Sequence, residues 1–167
     1  DPNSHSRYRL KEIVVIADQL VSWYESSEGQ ALSFGVISFY KAQADRIEKE
    51  VRLRLKDKYD DTRLKIGTVD SFQGMEFDIV LLSVVRTSDG SKRSEIDDPS
   101  KAARQKFGHL CLSNRLNVAM SRQKRLLVVV GDRALADDPL ADEFIPGIKE
   151  FAQIATTIDS VSNEGQP

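Results

Sequence analysis

The amino-acid sequence predicts an α/β domain with three layers, in which helices cover both faces of a mostly parallel β-sheet. Segments with helical periodicity alternate along the chain with short apolar segments. Two of these short segments, 77–85 and 126–130, are apolar on both faces, which is typical of strands buried in a parallel sheet. The chain has 167 residues, of which 40% are hydrophobic and 30% charged, so we expect one domain with a sizeable core.

The first half of the chain alternates between helix and strand. Apolar residues recur every three or four positions over 8–26, which predicts an amphipathic helix. The segment 32–39 is short and rich in β-branched and aromatic residues, which predicts a strand. A second amphipathic helix is predicted over 41–58, followed by a short strand over 64–69 and then the buried strand over 77–85.

The second half begins with a polar segment, 86–109, that contains six basic and four acidic residues. We expect this segment to be a surface insertion, and contact with a polyanion is the alternative. A helix is predicted over 113–123, followed by the second apolar strand, 126–130. A last helix is predicted over 139–155, with Asp138 as its N-cap and a proline at its first position.

The composition limits the class of protein. The domain is expected to span 8–158, between polar tails at 1–7 and 159–167, and its net charge is −2. The single cysteine, Cys111, allows no internal disulfide, and two distant histidines suggest no metal site. The longest apolar run, 79–85, is far shorter than the ~20 residues of a membrane-spanning helix. With no secretory signal at its start, the chain is expected to be intracellular, in the cytoplasm or the nucleus.

Several common binding motifs are absent from the sequence. There is no Gly-Lys dipeptide, and therefore no P-loop, and there is no Gly-x-Gly fingerprint. By itself, the chain lacks the usual residues that hold the phosphates and Mg²⁺ of a nucleotide. Because ligands of parallel sheets bind at the carboxyl ends of the strands, we expect a site in the loops after Phe39, Val69, Val85 and Gly131.

Two segments have compositions suited to a binding site. The first, 68–78, combines hydroxyl groups, acids, an amide and a glycine, and hydroxyl and loop N–H groups can hold phosphate oxygens. The second, 114–123, places Arg115 and Arg122 seven residues apart, which is two turns along one face of the predicted helix. A structural alternative exists for each segment: a capped turn for the first, and a helix with surface arginines for the second.

Together with 35–43, these segments resemble three linked motifs of the superfamily 1 helicases, in the group that includes senataxin, aquarius and the RNA helicase of nonsense-mediated decay. The segment 68–78 is similar to motif V, roughly T-V-D-x-F-Q-G-x-E-x-D, and 114–123 is similar to motif VI, roughly R-L-N-V-A-x-T-R-A. Residues 35–43 are similar to motif IV, usually G-(V/I)-I-T-P-Y-x-x-Q. Order and spacing agree over about 32–131.

The resemblance implies a RecA-like domain, the second of two in the same polypeptide, with ATP in the cleft between them. ATP and Mg²⁺ would be bound mainly by the first of these domains. Arg122 occupies the position of the arginine finger, which stabilises the charge on the transferred phosphoryl group from across the cleft. The other positions that match ATP-contacting residues are Gln73, Gly74, Glu76, Arg115 and Asn117.

Single-stranded nucleic acid is the implied partner, and the positions that match backbone contacts are Ser38, Tyr40, Thr68 and Ser71. Contacts to the backbone carry no sequence information, so the binding is expected to be sequence-tolerant, to RNA or to DNA. The resemblance therefore implies the C-terminal motor domain of an ATP-dependent helicase or translocase, inactive as an isolated chain.

Two departures from the family pattern keep an alternative open. Phe39 replaces the proline of motif IV, and Met75 replaces the arginine or lysine that many relatives have in motif V. The alternative is a non-enzymatic, helicase-like module that binds nucleic acid or a protein without ATP.

Overall fold

A computed structural model describes residues 6–88 and 98–155 of the chain. Within these ranges, the strands are β1 (Phe34–Ser38), β2 (Leu64–Thr68), β3 (Phe77–Ser83) and β4 (Gln123–Val130). The helices are α1 (Leu10–Glu25), α2 (Lys41–Leu55), α3 (Pro99–Phe107), α4 (Ser113–Ala119), α5 (Ala141–Phe144) and α6 (Pro146–Ile154). The domain limit predicted at 158 and the tail 159–167 lie outside the described residues.

The four strands form one parallel sheet in the order β2-β1-β3-β4. Phe34 of β1 lies opposite Leu64 of β2 on one side and opposite Ile79 of β3 on the other. On the far side of β3, Leu82 lies opposite Val129 of β4. The predicted α/β fold with a mostly parallel sheet is therefore confirmed.

Each face of the sheet has its own apolar core, which gives the three predicted layers. On one face, buried residues of α1 and α2, such as Ile16 and Ile47, cluster with Leu81 of β3. On the other face, Leu116 of α4 and the segment after β2 cluster with Leu82 of β3. Successive side chains of a strand point to opposite faces, so β3 is buried on both, as the sequence predicts.

The prediction that the strand ending at Val130 is also buried on both faces is wrong. In the described sheet β4 is an edge strand, and the side chain of Leu126 is 42% exposed. An edge strand has a neighbour on one side only, so its apolar residues are covered less completely than those of β3.

The expectation of a surface insertion over 86–109 is wrong for its second half. Asp98 caps α3 by accepting a hydrogen bond from the N–H of Ser100 at 2.9 Å. Three apolar residues at helical spacing, Ala103, Phe107 and Leu110, are then fully buried. The Asp-Pro start and this spacing were visible in the sequence, although the surrounding charges obscured them. Residues 89–97 of the segment lie outside the described residues.

The last predicted helix is two helices rather than one. Asp138 accepts a hydrogen bond from the N–H of Leu140 at 2.9 Å, but this contact closes a turn before α5 and does not begin a long helix. The helical conformation is interrupted at Ile145, because Pro146 has no N–H to donate to the preceding turn. Pro146 begins α6 instead. Across the two described ranges, every helix is too short or too polar to cross a membrane.

A buried carboxylate joins α1 to the end of β3. Glu12 is 3% exposed, and it accepts hydrogen bonds from the hydroxyl of Ser83 at 2.7 Å and from the N–H of Val85 at 3.0 Å. Gln43 of α2 donates to the same serine oxygen at 2.9 Å. Val85 has a φ of 68°, a left-handed conformation that strains a β-branched residue. The carboxylate therefore holds the chain in a strained turn directly after β3.

We expect Glu12→Ala to lower the free energy of unfolding by about 3 kcal/mol, because it leaves the Val85 N–H and the Ser83 hydroxyl buried without their acceptor. Urea unfolding of the chain measures this change. Glu25→Ala is the matched control in the same helix, since Glu25 forms an exposed pair with Lys58 and such pairs contribute at most about 1 kcal/mol. Equal losses in the two variants would contradict the role given to Glu12.

Burial raises the pKa of Glu12 above its ordinary value of 4.5, although the bonds from Ser83 and Val85 oppose the shift. Below about pH 4.5, the neutral carboxyl contributes its full stabilisation, which is lost as the pH rises through the folded pKa. We therefore expect the stability of the native chain, relative to Glu12→Gln, to fall as the pH is raised from 4.5. Urea titrations of both proteins test this, and a difference that rises with pH would contradict it.

Candidate nucleotide and nucleic-acid site

The segment 68–78 is a crossover that runs across the sheet. It leaves β2 at the carboxyl end of the sheet and enters β3 at the amino end, because the two strands are parallel. Val69 and Phe72 anchor it by packing into the core. Gly35 of β1 makes room for it, since a Cβ there would lie 3.0 Å from the rings of Phe72 and Phe77. The crossover therefore presents residues at both ends of the sheet.

The predicted site residues are accordingly divided between these two ends. Ser38, Tyr40 and Thr68 lie at the carboxyl end, as the sequence predicts. Gly74 and Arg122 lie near the amino ends of β3 and β4. We expected a site in the loops at the carboxyl ends of the strands. This second group lies outside those loops, because the crossover carries the chain to the other end of the sheet.

Arg122 lies in the turn between α4 and β4. Its guanidinium donates to the carbonyl of Val118 at 3.0 Å, to the hydroxyl of Ser121 at 2.8 Å and to the carbonyl of Met75 at 3.3 Å. The predicted helix to residue 123 is wrong, because α4 ends at Ala119. Arg122 therefore does not share a helical face with the other predicted arginine, and it rests against the crossover instead.

The exposed turn 73–76 surrounds this contact. Gln73, Gly74 and Glu76 are all exposed, and the N–H of Met75 donates to the carbonyl of Phe72 at 3.1 Å. Gly74 has a φ of 76°, a left-handed conformation that glycine adopts without strain. This glycine turns the chain between an amide and an acid whose side chains are both exposed, next to the Met75 carbonyl that Arg122 contacts.

A second contact ties α4 to the start of the crossover. Arg115 donates to the carboxylate of Asp70 at 2.6 Å. Asn117, two residues further along α4, is exposed. The residues of motif VI therefore contact the crossover at two separate points, Asp70 and the Met75 carbonyl.

The predicted nucleic-acid residues differ in their exposure. Ser38 is buried, and its hydroxyl oxygen accepts from the N–H of Tyr40 at 3.2 Å. Tyr40 is only 4% exposed. Thr68 is half-buried, and its carbonyl accepts from the exposed Ser71 hydroxyl at 2.7 Å. Thr68 and Ser71 are open to solvent, whereas the side chains of Ser38 and Tyr40 are enclosed by the domain.

Two residues that sequence reasoning did not place in the site cover Tyr40. Arg86 donates to its hydroxyl at 2.7 Å, and the His109 ring lies 5.1 Å from the Tyr40 ring. Burial, followed by the charges of Arg115 and Arg86, lowers the pKa of His109 below 6.5. The sequence feature that accompanies this contact is Gly108, which has a φ of 57° and packs against Arg86. A single sequence does not reveal that a glycine is required at this position.

The described residues contain no group of three or more His, Cys, Asp and Glu side chains placed to hold a metal ion. At the amino end of β4, the Arg122 guanidinium lies against a turn that carries an exposed amide, Gln73, and an exposed acid, Glu76. A guanidinium matches the geometry of a phosphate, and an amide or a carboxylate can form a hydrogen bond with a hydroxyl group.

Comparison with known proteins identifies the family of the chain. Residues 1–134 match the AAA domain family AAA_12. The chain is 35% identical over 127 residues to DNA polymerase alpha-associated DNA helicase A of Saccharomyces cerevisiae, which covers 76% of this chain and 16% of that protein. It is 37% identical over 147 residues to RNA helicase Mov10l1 of Homo sapiens, covering 84% of this chain and 11% of that protein.

A third relative, probable RNA helicase armi of Drosophila melanogaster, is 34% identical over 122 residues, which are 66% of this chain and 10% of that protein. The chain thus corresponds to between 10% and 16% of the length of these three relatives. The family match and the relatives agree with the resemblance carried by the three motifs and with the α/β fold. The chain therefore belongs to the AAA domain family AAA_12 and is a RecA-like domain of the superfamily 1 helicases, in the group that includes senataxin.

Proposed function

We propose that this chain is the C-terminal motor domain of an ATP-dependent superfamily 1 helicase or translocase on single-stranded nucleic acid, and that Arg122 is its arginine finger. The observation that carries the proposal is the position of the Arg122 guanidinium. It lies half-buried against the crossover, 3.3 Å from the carbonyl of Met75, beside an exposed turn. An arginine fixed in this way can stabilise phosphoryl charge that is brought to it from a facing domain.

The partner in this reaction is the first RecA-like domain of the same polypeptide. Since this chain has no Gly-Lys dipeptide, the P-loop and the residues that hold Mg²⁺ would come from that domain. ATP, when bound in the cleft, supplies the phosphoryl group that is transferred to water. The residues of this chain that would contact it, besides the finger, are Gln73, Gly74, Glu76, Arg115 and Asn117.

The crossover gives a physical route between ATP and nucleic acid. Its start, with Thr68 and Ser71, is the proposed nucleic-acid contact, and its end rests on the proposed finger. Helix α4 and the turn after it tie the two ends together, because Arg115 of α4 bonds Asp70 and Arg122 of the turn bonds the Met75 carbonyl. Closure of the cleft on ATP would therefore displace the nucleic-acid contacts as well, which is the basis of stepping along a strand.

Contacts to the backbone of a single strand do not distinguish RNA from DNA. Among the relatives, one is named a DNA helicase and two are named RNA helicases. Hydroxyl groups that contact phosphates serve both, since discrimination requires a contact to the 2′-hydroxyl. We therefore propose single strands of either kind as ligands, bound without sequence preference.

In the full-length protein, we expect Arg122→Ala to lower the turnover number for ATP by about 10³- to 10⁵-fold, because the transition-state charge loses its guanidinium. Affinity for ATP should change by less than about tenfold, since binding depends mainly on the first domain. Steady-state hydrolysis with single-stranded nucleic acid, and binding of a fluorescent ATP analogue, measure the two effects.

Arg125→Ala is the matched control for this test. Arg125 lies three residues further along, is largely exposed, and pairs with Asp78 at 3.2 Å. Its loss should leave turnover within about twofold of the native value, since it lies outside the turn that holds the finger. Turnover in Arg122→Ala that matches this control would contradict the proposed finger.

The isolated chain should not hydrolyse ATP at a measurable rate, because the residues that grip the β-phosphate and Mg²⁺ are absent from its sequence. A coupled phosphate-release assay, with and without oligonucleotide, measures this activity. The Arg122→Ala chain, purified in the same way, is the control, because equal hydrolysis in both preparations identifies a contaminating enzyme. Hydrolysis that depends on Arg122 in the isolated chain would contradict the two-domain proposal.

A further inference from the structure

A tilted pair of aromatic rings, Tyr40 and His109, lies at the carboxyl end of the sheet. The ring of His109 packs on the ring of Tyr40, with centroids 5.1 Å apart and an interplanar angle of 59°. Tyr40 is buried in this pair, whereas His109 is exposed. His109 therefore presents an aromatic ring to solvent at the end of the sheet where Thr68 and Ser71 lie.

The residue that follows the strained turn after β3 holds this pair of rings in place. Arg86 follows Val85, donates to the Tyr40 hydroxyl at 2.7 Å, and donates to the carbonyl of Gln105 at 3.0 Å. Gly108, directly before the histidine, leaves no room for a side chain, because a Cβ there would lie 2.0 Å from the Arg86 guanidinium. The buried Glu12 fixes this turn, so the ring is pre-positioned before any ligand binds.

Charge around the exposed ring favours a polyanion with aromatic groups. The cations Arg86 and Arg115 lie close enough to lower the pKa of His109, while Asp70 opposes them weakly and is itself paired with Arg115. The imidazole is therefore mainly neutral at pH 7 and above, so it offers a π-face rather than a charge. The guanidinium of Arg86, which is not among the proposed ATP contacts, is suited to a phosphate beside a stacked base.

We propose that His109 is a stacking contact for a base of the bound single strand, a residue that none of the helicase motifs includes. The proposal rests on the proposed function and adds a contact to it. It replaces the direct contact expected of Tyr40, whose ring and hydroxyl are already occupied by His109 and Arg86. Every base has a π-face, so this contact strengthens binding to RNA and DNA without selecting a sequence.

The position of the Tyr40–His109 pair separates it from the proposed finger and from the turn 73–76. His109 contacts Tyr40, which follows β1 at the carboxyl end of the sheet. Arg122 and the turn that contains Gly74 lie at the amino end of the sheet, at the other end of the crossover. A nucleic-acid base is therefore the ligand of this ring, and the adenine of ATP is not.

The test compares His109→Ala and His109→Phe in the full-length protein. Fluorescence anisotropy with oligo(U) and oligo(dT) measures the dissociation constant at several salt concentrations. We expect the alanine variant to bind about 5- to 100-fold more weakly, which is the usual loss when one stacking side chain is removed. The slope of affinity against salt should stay unchanged, because no phosphate contact is lost. The phenylalanine variant, which keeps a ring, should bind within about threefold of the native protein.

Tyr59→Ala is the matched control, because Tyr59 also has an arginine, Arg52, over its ring at 3.8 Å but lies before β2 at the opposite end of the sheet. It should bind both oligonucleotides as the native protein does, and thermal unfolding confirms that all variants are folded. If the native protein binds neither oligonucleotide, the proposed function fails.

The stacking proposal has its own contrary outcomes. If the native protein binds and His109→Ala binds equally well, the stacking contact is wrong while the proposed function stands. If the alanine variant loses affinity for an ATP analogue instead, the ring faces the nucleotide and the proposal is overturned. A phenylalanine variant as weak as the alanine variant would also contradict stacking.

Discussion

The carboxylate of Glu12, bonded to the Val85 N–H, is the contact on which the carboxyl end of the sheet depends. A β-branched residue avoids a φ of 68° unless the surroundings enforce it, and here a buried acceptor enforces it. The turn sends Arg86 back over β1, where it bonds the hydroxyl of Tyr40. Through this chain of contacts, a carboxylate on α1 determines the shape of a surface built by three other segments.

That contact also explains why burying a charge is tolerated at this position. Glu12 is expensive to ionise in the core, as its raised pKa shows. An apolar residue there would leave the Val85 N–H and the Ser83 hydroxyl without an acceptor, and the strained turn would relax. Glu12 therefore stabilises the turn through its hydrogen bonds, although burial opposes its ionisation.

The sequence predicted most of the fold because strong patterns are local. Periodicity located α1 and α2, and a run that is apolar on both faces located β3, a strand with neighbours on both sides. The sequence-based prediction was wrong where tertiary contacts or a single residue determine the structure. β4 is as apolar as a central strand, yet it lies at the edge of the described sheet. Pro146 divides the last predicted helix into two. The charges around Ala103 and Phe107 concealed a helix whose apolar face is buried.

For the candidate site, the motifs supplied candidate residues but not their placement. Arg122 was predicted on a helix, and it lies in a turn whose contact with Met75 no periodicity reveals. The contact of His109 with Tyr40 was missed because the two residues lie 69 positions apart in the chain, and only the folded sheet brings them together. Local signals therefore locate a motif, whereas the surface around it depends on long-range packing.

Two residues of motif VI attach to the crossover. Arg115 bonds Asp70 near the start of the crossover, and Arg122, in the turn after α4, bonds the Met75 carbonyl near its end. Between them, Phe72 is buried in the core, so the crossover cannot slide along the sheet without breaking its packing. If Arg122 is the finger proposed above, a phosphate that drew its guanidinium away would release only the end of the crossover at Met75. The contact between Arg115 and Asp70 would remain, so the released turn would move relative to the hydroxyl groups at the other end.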